Sequence, residues 1–335
     1  MTSSPHRRFL ALVVFALVVV GTACGNYSNE DLEFMNALPK QADLSVEIPA
    51  RSSAITILEE AELARKTHET TRDFNGLTAT LVGLVDLIRS YPPTSRTRDS
   101  RVWGPFGPGP RDTTNLDWQR RMLVRRDMLD PNVFDFEIAV HKVGTSDLAW
   151  PVFVRGSFDA GKTARQGMGH IEVALAAVRA AGFDASDWKA LDHLEIDYKK
   201  PYPATATDPI HISMMITDLP DDSMTPMNPA PTVTYDYQAT DDGQGQMAFD
   251  VFANIIGLPT SPIEHVNITS LWLPRGEGRS DLSVVSGDGV GLRQTECWDR
   301  SFKATFNVKP FASGENVGAD ASVCPMITML SAPAF

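Results

Sequence analysis

The sequence predicts a mainly β protein of the α+β class: an antiparallel β-meander curled into a barrel, half-barrel or sandwich, with an N-terminal helical segment packed on it. Three observations carry this. From Leu116 the apolar period becomes two and recurs as far as Val308. Its runs alternate apolar with polar residues instead of being apolar throughout, as in antiparallel sheets with one wetter face. Before Pro92 the period is helical, with Leu77, Leu81, Leu84, Val85 and Ile88 on one stripe.

Residues 1–23 read as a lipoprotein signal peptide. Arg7 and Arg8 precede an apolar run from Phe9 to Val20, and Gly21-Thr22-Ala23 leads into Cys24. The run is too short to span a bilayer as a helix. The arrangement around Cys24 resembles a bacterial lipobox, in which the thiol is acylated and becomes the mature N-terminus. Gly21 stands where a branched aliphatic is usual, and Gly21-Thr22-Ala23 also fits ordinary signal cleavage after Ala23. Cysteine parity favours acylation: of three cysteines, lipid on Cys24 leaves Cys297 and Cys324, a pair suited to a disulfide in an oxidising compartment. The expected location is the cell envelope, with the acyl chains in a membrane, the outer one facing periplasm or exterior.

Charge narrows the partners. The 30 basic and 42 acidic residues give -12, and loss of the signal leaves 28 against 42, or -14. Such a surface argues against nucleic acid and against an electrostatic grip on anionic lipid. The membrane is therefore the expected partner through the acyl chains alone, with any protein partner or apolar ligand unidentified. The length allows one large domain or two small ones, and 43% apolar residues are enough for a core.

In order along the chain, residues 24–51 form an acidic tether punctuated by Pro39 and Pro49, part of it expected to be mobile and Leu32-Phe34-Met35 able to dock. Residues 52–91 form the helical segment, with a kink or short link at Asn75-Gly76 and a stop at Pro92-Pro93. Residues 92–335 form the β domain. It opens on a loop anchored by Trp103 and Phe106, and its strands are centred on Phe134–Val140, Ile171–Leu175, Leu194–Tyr198, Ile210–Ile216, Val233–Tyr237 and Phe302–Val308. Short helical interruptions are expected at Ala176–Gly182 and Ser186–Leu191. A weak repeat, G-x-G leading into a strand, occurs at Gly167, Gly243 and Gly276, with the glycines supplying the positive φ of hairpin turns.

Taken together, Cys24 followed by the run Asn29 to Pro39, the helical stretch, Trp103-Gly104-Pro105, the G-x-G strand entries and Glu296-Cys297-Trp298-Asp299 are similar to uncharacterised secreted lipoproteins of myxobacteria. The likeness implies a secreted, anchored, mostly β protein. It transfers no catalytic residue.

Two constellations bear on chemistry. Gly156 to Thr163 spells G-x4-G-K-T, the letters of a phosphate loop, after a possible strand Val152-Phe153-Val154. A genuine loop needs a helix from Lys162, whereas Gly167, Gly169 and a period-two run follow, so a strand through Phe158 and a turn at Gly161 into an antiparallel partner is the preferred reading. His141, His170, His193 and His211 fall on the polar phase of their strands beside Glu137, Glu172, Glu195 and Asp197. They can converge on one face as a metal site requires, yet no H-E-x-x-H or tight histidine pair occurs, and a solvated face explains them. The preferred function is a membrane-anchored extracytoplasmic lipoprotein with a non-catalytic binding or structural role, without cofactor. A carrier of lipid or another apolar ligand ranks second, and a metal-dependent or nucleotide hydrolase third.

Overall fold

The computed structural model describes residues 27–50, 60–108, 113–146, 150–163, 166–185, 191–217, 232–253, 264–309, 316–318, 320–331 and 335. The signal peptide with Cys24, the start of the expected helical segment at residues 52–59 and most of the turn expected at Ser186–Leu191 lie outside them.

Fourteen strands follow one another as β1 (Ser95–Arg96), β2 (Ser100–Phe106), β3 (Trp118–Arg126), β4 (Val133–Lys142), β5 (Val152–Thr163), β6 (Gln166–Ala174), β7 (His193–Lys199), β8 (Ile210–Thr217), β9 (Val233–Ala239), β10 (Gly245–Ala253), β11 (Glu264–Trp272), β12 (Gly278–Ser286), β13 (Arg293–Trp298) and β14 (Ala304–Val308). They make a single antiparallel sheet in which each strand pairs with the next in sequence. β1 and β14 are its two edges, so the sheet is not closed into a barrel. The alternation read from the sequence sets the faces. In β4, Phe134, Phe136, Ile138 and Val140 are buried while Asp135 and Glu137 face outward, and β7 repeats the pattern with Leu194, Ile196 and Tyr198 inside.

Among the described residues four α-helices accompany the sheet: α1 (Asn29–Asn36), α2 (Gln41–Leu44), α3 (Glu62–Arg89) and α4 (Ala176–Ala180). None among the described residues is long and apolar enough to cross a membrane. Helix α3 packs on β11, β12 and β13 and also reaches β2. Its 28 residues span about 42 Å, whereas the eleven spacings from β2 to β13 would cover about 53 Å if flat. The sheet therefore curls around the helix. Leu63, Phe74, Leu81, Val82, Val85 and Ile88 of α3 join the inner strand residues in one core cluster. Where α3 crosses β11 and β12 the contacting residues are small and polar. Thr67 Oγ1 and Ser270 Oγ lie 2.6 Å apart, as do Ser270 Oγ and Ser280 Oγ, forming a buried hydroxyl chain.

The start of α3 is fixed by a strand. Glu296 of β13 accepts hydrogen bonds from the backbone N–H groups of Glu62 (3.0 Å) and Leu63 (2.5 Å), which have no partner inside the helix. The helix runs unbroken through Asn75-Gly76, in contrast to the kink expected there. Asn75 has another use: its amide holds both backbone groups of Val46, each at 2.9 Å.

Residues 27–50 are strapped along one end of the sheet. Ser28 caps α1, with its Oγ accepting from Asp31 N–H at 3.1 Å. Phe34 packs edge-on against Phe134 at 5.4 Å, and Leu38, Leu44 and Val46 are buried. Lys200 donates to Ala42 O at 2.7 Å, and Tyr237 OH donates to Glu47 O at 3.1 Å. Of the groups expected to dock, Phe34 is buried and Met35 is packed against the core, while Leu32 stays exposed, and the docking extends over the strap.

The G-x-G repeat has a structural meaning different from the one expected. Gly243 and Gly276 do adopt positive φ, but Gly167 does not. The common feature lies at the second glycine. Gly169, Gly245 and Gly278 sit directly opposite Tyr198, Trp272 and Trp298 in the ladder. A Cβ on any of them would come within 2.3–2.5 Å of that ring. Each glycine leaves room for a large aromatic of the adjacent strand to lie across it.

Cys297 and Cys324 are disulfide-bonded, as expected, across a separation of 27 residues. The bridge directs the C-terminal tail over the outer face, where Gln246 bonds both backbone groups of Leu330 and Phe335 stacks on His211 at 4.2 Å.

Candidate functional site

With the inner face occupied by α3, the polar groups that can meet a partner lie on the outer face. The register brings Glu137, Arg155, Glu172 and Glu195 into one row across β4 to β7, and Asp135, Ser157, His170 and Asp197 into the next. Arg155 makes a two-pronged ion pair with Glu172, at 2.5 Å from Nε and 2.8 Å from Nη2. The Arg155 hydrogen bonds hold the Glu172 carboxyl below its ordinary value against burial, aided by the nearby His193 and His170. On the β3–β4 side of Arg155 is an open depression of about 300 Å³ lined by Leu123, Arg125, Asp135, Glu137, Arg155 and His170, together with Phe136, Gly156 and Ser157. Its rim mixes cations, carboxylates and an imidazole, so it offers a polar contact of both signs to a partner.

The expected histidines are indeed on strands of this face, but they do not converge. Each is taken up locally. His170 Nδ1 lies 2.8 Å from Asp197 Oδ1, His193 Nε2 lies 2.9 Å from Glu195 Oε1, and His211 Nε2 lies 2.7 Å from Asp236 Oδ2. His141 is buried at the end of β4, stacked on Trp150 at 4.8 Å, with the Arg121 guanidinium 4.3 Å from the other ring's centre. Among the described residues no three His, Cys, Asp or Glu side chains are arranged to hold a metal ion. Three of the four expected histidines are thus each held by a single carboxylate.

The phosphate-loop letters are likewise resolved by geometry. Residues 156–163 lie in β5, which pairs antiparallel with β6 from Val154 to Thr163. The strand runs past Gly161, further than the turn expected there. No helix begins at Lys162, so no set of aligned N–H donors faces an anion.

No family model, curated protein or solved structure matches this chain. The site is therefore argued from its own geometry.

Two pairings escaped the sequence reading. His265 Nε2 lies 3.0 Å from Asp250 Oδ1, and His68 Nδ1 lies 2.5 Å from Glu60 Oε1. The first joins residues on adjacent strands whose pairing needed the exact register of β10 with β11. Also missed was the buried cluster that ties α1 to β2, in which Asp31 receives Arg96 and Arg101. Its acidic members stand in what looks from composition like a solvated tether.

Proposed function

We propose that the chain is a membrane-anchored extracytoplasmic lipoprotein, held by acyl groups on Cys24, with a non-catalytic binding or structural role. The observation that carries this reading is the signal-like start that ends in Cys24, leaving Cys297 and Cys324 to pair. The fold supports the functional half. The inner side of the curled sheet, where a carrier would hold an apolar ligand, is filled by α3 and the strap in one continuous core. Among the described residues, the outer face offers a partner the mixed-charge depression beside Arg155. A carrier role would require α3 to swing away from Glu296 and expose Phe74, Leu81 and Val85, at a large cost in buried apolar surface.

The test is fractionation of cells expressing the full chain. Cys24→Ser should move the protein from the membrane fraction to the soluble one. A substituted protein that still pellets with membranes after a salt wash would refute the acyl anchor. Membrane-extracted protein that co-purifies with stoichiometric lipid would favour the carrier over the binding role.

A further inference from the structure

We infer that the turn between β3 and β4, residues 127–132, is a membrane-contact tip, with Met128 and Leu129 entering the lipid surface to which Cys24 is attached. The inference rests on the acyl-anchor reading for its choice of occupant.

The first observation is the tip itself. Met128 and Leu129 are 91% and 96% exposed, at a position where turns ordinarily carry polar residues. They are not exposed because the turn is loosely held. Asp127 Oδ1 accepts from the N–H groups of Leu129 (2.6 Å) and Asp130 (3.0 Å), and Asp130 Oδ1 accepts from Asn132 N–H at 2.9 Å. Asp127 N–H donates to Val133 O at 2.8 Å, closing the hairpin. The turn's own side chains thus satisfy these backbone donors and leave two adjacent large apolar groups pointing away from the body. That is the arrangement needed to enter lipid without exposing backbone N–H groups to it.

The second observation is where the chain emerges. Helix α1 is fastened beside this tip: Arg126, the last residue of β3, donates to Glu33 at 2.5 Å, and its guanidinium lies 5.0 Å from the Phe34 ring centre. Arg126 N–H also donates to Asp99 O at 2.9 Å, so the β1–β2 turn joins the same end. Ser28, the cap of α1, is four residues after Cys24. Four residues reach at most about 14 Å, so an acyl anchor at Cys24 must hold this end of the sheet close to the bilayer.

The charges fit an apolar insertion. Arg125 and Arg126, which lead into the tip, are offset by Asp127 and Asp130 within it, so the tip has no net attraction for anionic lipid. The arginine stems can lie along the interface while their heads stay in water.

The experiment keeps the tip apart from the anchor. The mature chain, with polyhistidine in place of Cys24, is held on vesicles of phosphatidylcholine containing a nickel-chelating lipid. Leu129→Trp is compared with Val290→Trp, an exposed site in the turn after β12, at the opposite end of the sheet. With brominated phosphatidylcholine in the vesicles, the added emission at residue 129 should be quenched at least about threefold more than that at residue 290. Equal quenching at the two sites overturns the tip. In cells, the Met128→Ser/Leu129→Ser double variant of the acylated chain should be lost from salt-washed membranes about tenfold more readily; retention equal to the parent would count equally against it. Both side chains are almost wholly exposed, so the substitutions leave the core untouched. Failure of Cys24→Ser to release the chain would refute acylation and leave the quenching result readable, because the chelated tether does not depend on lipid at Cys24.

Discussion

Arg101 and Asp31 form an ion pair from which solvent is excluded: Nε donates to Oδ1 at 2.6 Å, and neither side chain exposes more than 1% of its surface. Arg101 also donates to Glu30 and to the carbonyls of Thr97 and Ser100. Asp31 receives Ser28 N–H and Arg96 in addition. The strap is thus joined to β2 by a cluster in which these charged atoms are met by several partners. Asp31→Ala should cost about 3 kcal/mol, since it leaves the buried guanidinium with only the largely exposed Glu30 as counter-charge. Asp31→Leu combined with Arg101→Met should recover most of that loss. Denaturant unfolding of the three proteins measures both statements.

Two carboxyls give opposite pH dependences. Burial opposes ionisation of Asp31, but Ser28 N–H, Arg101 and Arg96 outweigh it and hold the group below its ordinary value. Its contribution to stability is therefore full above the unfolded value near 3.9 and is lost as pH falls through the depressed folded one. Burial, with the nearby Glu62 charge, raises Glu296 despite its bonds from the N–H groups at the start of α3. That group adds stability on the acid side, which is lost as pH rises from the ordinary glutamate range through the raised value. Thermal midpoints against pH should lose the first slope in Asp31→Asn and the second in Glu296→Gln. A Glu296→Gln profile that keeps the parent's slope would contradict the second assignment.

The disulfide should be worth about 3.5 kcal/mol by loop closure. In the Cys297→Ala/Cys324→Ala protein, the tail from residue 324 onward should become accessible to protease well before the sheet, because among the described residues it is then held by single bonds at Thr328 and Ser331, the Gln246–Leu330 bonds and the Phe335–His211 stack. Equal protease resistance of the tail in both proteins would show that the bridge does not hold it.

Glycine substitutions should divide sharply by location. Gly278→Ala and Gly245→Ala place a methyl into the rings of Trp298 and Trp272 and should cost about 1–3 kcal/mol each. Gly76 and Gly83 of α3 have open space around them, so Ala there should be neutral or stabilising by up to about 1 kcal/mol. Unfolding midpoints of the four single variants decide it.

The sheet was legible because its order is purely local: every strand that alternated in sequence pairs with its neighbour in sequence, and no crossover had to be guessed. What was not legible depends on contacts between distant residues. Asn75 looked like a helix breaker because its partner, Val46, lies 29 residues away. The second glycine of each G-x-G looked like part of a turn because the ring above it comes from another strand. The histidines read as a solvated face with a metal site as the alternative, and their actual pairing was hidden because Asp197 and Asp236, which pair with His170 and His211, come from strands whose register the sequence does not fix. The outer-face depression arises from side-chain heights on four neighbouring strands, for which periodicity gives only the phase.

The bond from Leu63 N–H to Glu296 also orders events in time. Hairpins β1–β2 through β13–β14 can each close as soon as their second strand is available, since their contacts are local. Helix α3 precedes them all in sequence, yet its terminal N–H groups find their acceptor only after a separation of 233 residues. A chain emerging N-terminus first therefore carries an uncapped α3 until β13 arrives, and the core can seal only when nearly the whole polypeptide is present. A nascent or truncated product ending before Glu296 would leave the first turn of α3 without its acceptor, and so would be recognisable to proteases and chaperones as unfinished.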